Sequence, residues 1–117
     1  MPAINFQKRF AELILTGQKR QTIRLVRKYP IRQGDMLYLY TGQRTKHCES
    51  LGLVQCTSIL KITLTKEFKI IVDIIPLSSI QEESDFITAE GFKSWQDMYR
   101  FFNKRYVLPF EGVLIKW

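Results

Sequence analysis

The stretch FQKRFAELILTGQKRQTIRLV at residues 6–26 changes its hydrophobic period midway, and this change predicts a helix followed by a strand. The first half places apolar residues at positions i, i+4, i+7 and i+8 of one helical face, and Gly17 is well placed to end that helix. The residues of this face are Phe6, Phe10, Leu13 and Ile14. From residue 21 onward the period is two, so Thr22 and Arg24 share one face of a strand.

Short strands are predicted on both sides of this stretch. Period-two patterns and β-branched or aromatic runs mark them, and turn residues such as Gly34 and Asp35 separate them. The six predicted strands cover residues 3–6, 21–26, 36–40, 51–64, 68–75 and 113–117, with a polar loop over 44–50. Two further helices begin at sequences that resemble capping boxes, one at Ser79 running towards Glu90 and one at Ser94.

This order of elements predicts the fold class. Strands without regular helical crossovers cannot form a doubly wound parallel sheet. We therefore expect an α+β protein, with a small, mostly antiparallel β-barrel of about five or six strands and flanking helices. No repeat or linker divides the 117 residues, and this length suits one domain, so we expect a single domain over residues 1–117.

Several classes of protein are disfavoured by the composition. No apolar run approaches the ~20 residues of a membrane helix, and the N-terminus does not have the pattern of a secretion signal. We therefore expect a cytoplasmic protein without a membrane partner. Cys48 and Cys56 are too few for a disulfide scaffold, and together with His47 they lack zinc-ligand spacing. We accordingly expect no metal and no cofactor.

The positive charge is concentrated early in the chain. The net charge is +7; residues 1–50 carry ten Lys and Arg against three acids, whereas residues 51–117 carry eight against eight. Between Glu12 and Asp35 no acid interrupts six cations: Lys19, Arg20, Arg24, Arg27, Lys28 and Arg32. Such clustering favours a phosphate-bearing partner, RNA or a nucleotide, over loop cations that only maintain solubility.

The segment TGQKRQTIR at residues 16–24 holds the strongest candidates for chemistry. A hydroxyl at Thr22 between Lys19 and Arg24 suits an anion site, or a nucleophile that Lys19 activates as a base. The alternative is that Thr22 is there for its β propensity and Arg24 is a surface cation. Glu90 stands at a helix C-terminus, where the helix dipole disfavours a carboxylate, so pairing with a cation such as Lys19 or Arg24 is expected.

Other residues are candidates for ligand contact. Tyr40 ends a strand beside a basic loop, where its ring could stack on a base. The full set of predicted ligand-binding or nucleic-acid-binding residues is Lys19, Arg20, Thr22, Arg24, Arg27, Tyr40, Arg44 and Lys46.

The order of these motifs resembles the ASCH domain family, which is related to PUA-like RNA-binding barrels. The resemblance rests on the helix-Gly-x-Lys-x-x-Thr-Ile-Arg run, on Gly34-Asp35 and on Glu90-Gly91-Phe92. Residues 39–52 (LYTGQRTKHCESLG) and 108–113 (LPFEGV) look like a branch found in phage and prophage proteins. The resemblance implies a β-barrel whose cleft is lined by the Lys-x-x-Thr-x-Arg segment and meets RNA or a nucleoside.

The family resemblance also implies alternatives. Some members are amidohydrolases acting on N4-acetylcytidine, and their roles would fall on Lys19 as base, Thr22 as nucleophile and Glu90 as acid/base partner. Other members are reported as ribonucleases. The sequence thus leaves open an RNA- or nucleotide-binding protein, which we favour, an amidohydrolase, a ribonuclease, or a module that binds an acidic protein.

Overall fold

The computed structural model of the protein describes residues 2–117. The strands are β1 (Ala3–Phe6), β2 (Gln21–Arg24), β3 (Met36–Thr41), β4 (Glu49–Gln55), β5 (Ser58–Leu64), β6 (Ile70–Val72), β7 (Ile75–Pro76) and β8 (Phe110–Lys116). The helices are α1 (Lys8–Leu15), α2 (Ile80–Glu90) and α3 (Trp95–Tyr106).

The strands form two sheets that are mostly antiparallel. One has three strands in the order β1-β3-β4, with β1 parallel to β3, and the other has five strands in the order β2-β8-β5-β6-β7. The prediction of an α+β fold is confirmed. Within residues 2–117 the two hydrogen-bonded sheets do not join into one closed cylinder, so the PUA-like barrel stays a prediction.

The single strand predicted over residues 51–64 is wrong, because the chain changes sheets in its middle. Strand β4 ends at Gln55 in the smaller sheet, and β5 begins at Ser58 in the larger one. Between them, Cys56 N donates to Asp35 O, and Thr57 N donates to Lys116 O in β8. Both halves are rich in apolar residues, so hydrophobic pattern alone does not reveal the crossing.

The other differences in strand boundaries have local causes. The strand predicted over 68–75 is a tight hairpin, because Asp73 adopts a left-handed φ of +61° between β6 and β7. Strand β4 begins at Glu49, inside the predicted loop, and β8 begins at Phe110, three residues early. Residues 2–117 therefore contain eight strands instead of about six.

Both late helices begin where capping predicts. Ser79 Oγ accepts a hydrogen bond from Glu82 N, and Ser94 Oγ accepts one from Asp97 N. The Asp97 carboxylate also pairs with both terminal nitrogens of Arg9, at 2.6 and 3.2 Å, and so ties α3 to α1. No helix within residues 2–117 is long and apolar enough to span a membrane.

The core is one cluster of buried residues contributed by both sheets and by all three helices. Its members from the smaller sheet alternate with outward-facing residues, as a half-buried sheet requires. The most completely buried apolar side chains are Ile4, Leu37, Leu39, Cys56, Ile62, Leu64, Met98, Leu114 and Ile115.

Candidate functional site

A cleft of about 170 Å³ opens among β1, β2, the end of α2 and the end of α3. Four residues of the predicted site share it, although they come from distant parts of the chain: Lys19, Thr22, Arg24 and Glu90. Lys19, Thr22 and Glu90 are each at most 4% exposed. The remaining lining is Asn5, Phe6, Gln7, Phe10, Ile23, Phe92, Phe101, Phe102, Arg105 and Tyr106. The cleft therefore combines a buried polar floor with aromatic walls.

Lys19 is placed by the turn that follows α1. Its backbone N donates to Leu13 O at 2.9 Å, which directs the side chain inward. There Nζ donates to the backbone O of Glu90 and lies 3.7 Å from Glu90 Oε1. The ammonium also lies 5.1 and 5.9 Å from the ring centroids of Phe10 and Phe6, within cation–π range. Lys19 is thus a buried cation held by one carboxylate and two aromatic rings.

Burial lowers the pKa of Lys19 below the ordinary value of a lysine. The nearby charge of Arg24 lowers it further, whereas Glu90 raises it. Because desolvation is the largest of these influences, Lys19 loses its proton more readily than an exposed lysine. An amine of this kind can serve as a base at a lower pH than a free lysine.

Glu90 reaches the cleft because α2 ends there. The next residue, Gly91, has the left-handed φ of +96° that closes the helix. A Cβ at this position would lie only 3.0 Å from Phe10 Cδ1 and 3.1 Å from Leu13 Cδ1, so glycine also permits close packing on α1. Glu90 Oε2 accepts a hydrogen bond of 2.8 Å from Gln21 Nε2. The carboxylate is therefore bound from two sides, by an ammonium and by an amide.

Thr22 and Arg24 lie on the same face of β2, as the period-two pattern predicts. Arg24 Nε donates to Thr22 Oγ1 at 3.1 Å, and Nη2 donates to Asn5 O in β1 at 2.8 Å. Burial lowers the pKa of Arg24 to about 10, with Arg105 and Arg27 adding to this effect and Tyr106 and Glu90 opposing it. Arg24 therefore remains a cation at neutral pH.

The hydroxyl and the amine are not in direct contact. Lys19 Nζ hydrogen bonds to Glu90, whereas Thr22 Oγ1 accepts from Arg24, and no hydrogen bond joins Nζ to Oγ1. Proton transfer from Thr22 to Lys19 thus requires either a side chain to move or a water to bridge the two groups. The arrangement as it stands suits binding of a polar ligand edge.

The remaining predicted residues lie outside the lining of this cleft: Arg20, Arg27, Tyr40, Arg44 and Lys46. Arg27 Nη2 donates to Ala3 O at the edge of β1. The Tyr40 ring stacks on Tyr38 with a centroid separation of 6.5 Å, on the outward face of β3. The exposed basic loop that follows β3 adjoins the cleft through Gln43 N, which donates to Asn5 Oδ1 at 2.8 Å.

Sequence reasoning missed several residues of the cleft. Asn5 lines the cleft and Gln21 donates to Glu90 at its edge, but both lie within predicted strands and carry no charge that would single them out. Arg105 and Tyr106 lie at the C-terminus of α3, where a cation is common for the sake of the helix dipole. The only feature of the sequence that points to these two residues is the density of aromatic residues along this helix, and that density is equally typical of a helix packed against the hydrophobic core.

Comparison of the chain with protein-family models, curated proteins and solved structures found no match. Among residues 2–117, no group of three or more His, Cys, Asp or Glu side chains is placed to hold a metal ion.

Proposed function

We propose that the cleft binds a nucleobase, either of an RNA residue or of a nucleoside or nucleotide, in a protein of the ASCH family with a PUA-like arrangement of its strands. The observation that carries this proposal is the pairing of a buried polar floor with aromatic walls. Lys19, Thr22 and Glu90 form the floor, and rings such as Phe6 and Tyr106 stand around it.

A nucleobase matches both parts of this lining. Its faces are apolar and stack on aromatic side chains, whereas its edge carries donors and acceptors that require partners. The hydroxyl of Thr22 and the carboxylate of Glu90 offer hydrogen bonds at the depth such an edge would reach. The cleft is too small for a strand of RNA, so an RNA ligand would insert one unstacked base.

Charge supports the same ligand. Glu90 is the single acid in the lining, where it is opposed by Lys19, Arg24 and Arg105. The exposed cations that flank β2 in sequence, Arg20 and Arg27, extend the positive surface beyond the cleft. A nucleic-acid ligand would therefore bind more weakly as salt increases.

The proposal is tested by calorimetric titration with cytidine, uridine, adenosine and guanosine. We expect one of them to bind, and Thr22→Val, which keeps the side-chain shape but removes the hydroxyl, to weaken binding roughly tenfold. Thr57→Val is the matched control, since Thr57 is exposed and lies outside the cleft. Absence of binding at millimolar nucleoside, or equal effects of the two variants, would reject the base site.

A second candidate function, hydrolysis of an acylated nucleobase, is favoured by the lowered pKa of Lys19 beside Thr22. The Thr22 oxygen would attack the amide carbonyl carbon, and Lys19, once it contacts the hydroxyl, would accept its proton. Lys19 would then return this proton to the nitrogen of the nucleobase amine as the C–N bond breaks, and water would hydrolyse the resulting threonyl ester to regenerate Thr22 and release the carboxylic acid.

This second candidate has a separate test. Incubation with N4-acetylcytidine should release acetate, Thr22→Ser should retain part of the activity, and Thr22→Val should abolish it. Turnover no faster than that of Thr22→Val would reject the hydrolase while leaving nucleobase binding intact.

A further inference from the structure

Two arginines from different elements meet at the cleft. Arg24 comes from β2, and Arg105 comes from the last turn of α3, about 80 residues later in the chain. Each guanidinium lies over an aromatic ring of the lining, with Arg24 Cζ 4.8 Å from the Phe6 centroid and Arg105 Cζ 5.0 Å from the Phe101 centroid. Stacking on these rings restricts the orientation of both guanidinium groups before any ligand arrives.

Neither arginine forms a salt bridge with a carboxylate in the described part of the chain. The two ion pairs within residues 2–117 are Arg9 with Asp97 and Lys19 with Glu90. The hydrogen bonds of Arg24 use Nε and Nη2 and leave Nη1 for another acceptor. Burial is the main cause of the lowered pKa of Arg24, and the nearby charge of Arg105 lowers this pKa further. Two cations that disfavour each other in one cleft are the expected surroundings of an anion.

We propose that Arg24 and Arg105 form a phosphate subsite, so that the cleft prefers a base carrying a phosphate over a free nucleoside. This inference rests on the proposed base site and specifies its ligand. Guanidinium groups match the oxygens of a phosphate through paired hydrogen bonds, which is why arginine is common wherever phosphates are recognised. The phosphate can belong to a free nucleotide or to an RNA strand, since both present the same anionic oxygens.

Titration of a nucleoside against its 3′- and 5′-monophosphates tests this subsite. We expect one monophosphate to bind roughly tenfold tighter than the nucleoside at low salt. Arg105→Gln should abolish this difference, and Arg105→Lys, which keeps the charge but not the planar fork, should retain part of it. Lys104→Gln is the matched control, because it removes a neighbouring cation from the same helix end outside the cleft.

The outcomes separate the two proposals. Equal affinity for nucleoside and monophosphates, or a preference that persists in Arg105→Gln, overturns the subsite and leaves the base site standing. If neither class of ligand binds, both proposals fail. A dinucleotide that binds as tightly as the better monophosphate, with the same dependence on Arg105, identifies RNA as the source of the phosphate. A monophosphate that binds more tightly than the dinucleotide identifies a free nucleotide.

Discussion

Removing the charge of Glu90 should expose how strongly the buried ion pair constrains this protein. Glu90→Gln keeps the shape of the side chain and the backbone O that accepts from Lys19. It nevertheless leaves the charge of Lys19, a residue only 3% exposed, without its carboxylate. Breaking a buried pair in this way typically costs about 3–5 kcal/mol of unfolding free energy.

The structure also sets an upper bound on this loss. Lys19 can shed its proton instead of remaining charged, and removing the proton from an ordinary lysine at pH 7 costs about 4.6 kcal/mol, from a pKa near 10.4 and ~1.36 kcal/mol per unit. Burial already lowers the pKa of Lys19, so the cost is smaller for this residue. We therefore expect Glu90→Gln to lower the free energy of unfolding by about 3–4 kcal/mol at pH 7.

The pH dependence has a definite sign. Without Glu90 the folded-state pKa of Lys19 falls further below its unfolded value, because the carboxylate is the group that raises it. Between those two pKa values the unfolded chain binds more protons, so stability increases as pH rises. Glu90→Gln should consequently recover part of its lost stability between pH 7 and pH 9, relative to the wild type.

Urea denaturation of the wild type, Glu90→Gln and Lys19→Met/Glu90→Gln at pH 7 and pH 9 checks this reasoning. The double variant contains no buried charge at these positions, so it should be more stable than Glu90→Gln at pH 7 and show no such recovery with pH. A loss below about 0.5 kcal/mol in Glu90→Gln, well under the few kcal/mol of a broken buried pair, would refute the account of Lys19 as a buried cation.

Two further predictions concern the framework of the cleft. Gly91→Ala should lower the free energy of unfolding by about 2 kcal/mol or more, because Gly91 has a left-handed φ and lies close to α1. Gly17→Ala should lower it by about 1 kcal/mol, because Gly17 has a left-handed φ of +81° but open space around it. Equal losses of the two variants in thermal denaturation would contradict this. The hydrogen bond from Arg9 lowers the pKa of Asp97, and the Lys93 amide adds to this effect whereas burial opposes it. The stability that the Asp97 carboxylate contributes is therefore present above its unfolded pKa and is lost as pH falls through its folded pKa. Asp97→Asn should therefore be about 1 kcal/mol less stable than the wild type at pH 7. The denaturation curves of the two proteins should converge in acid. A constant difference in stability down to pH 2 would contradict the pairing of Asp97 with Arg9.

The local part of the site could be predicted from the sequence. The spacing from Gly17 to Arg24 encodes a helix end, a turn and a strand, and short-range geometry alone places Thr22 and Arg24 on one face. Glu90 required a different argument, namely that a carboxylate at a helix C-terminus needs a cation. The structure pairs it with Lys19.

What the sequence could not reveal depends on packing between distant elements. Arg105 is an ordinary helix-end cation until the end of α3 lines the same cleft as β2, and nothing near it in sequence indicates that neighbour. The change of sheet at Cys56 is likewise set by hydrogen bonds to Asp35 and Lys116, which lie far away in the chain. Period and propensity describe each segment by itself, whereas these features depend on which segments meet.

Amide chemical shifts recorded during titration with the best-binding nucleoside monophosphate show whether the ligand binds in the cleft. We expect the largest changes at Thr22, Arg24, Glu90 and Arg105, with the edge strand β7 unaffected. Changes confined to β7 or to the outward face of β3, with the cleft amides unmoved, would contradict this expectation.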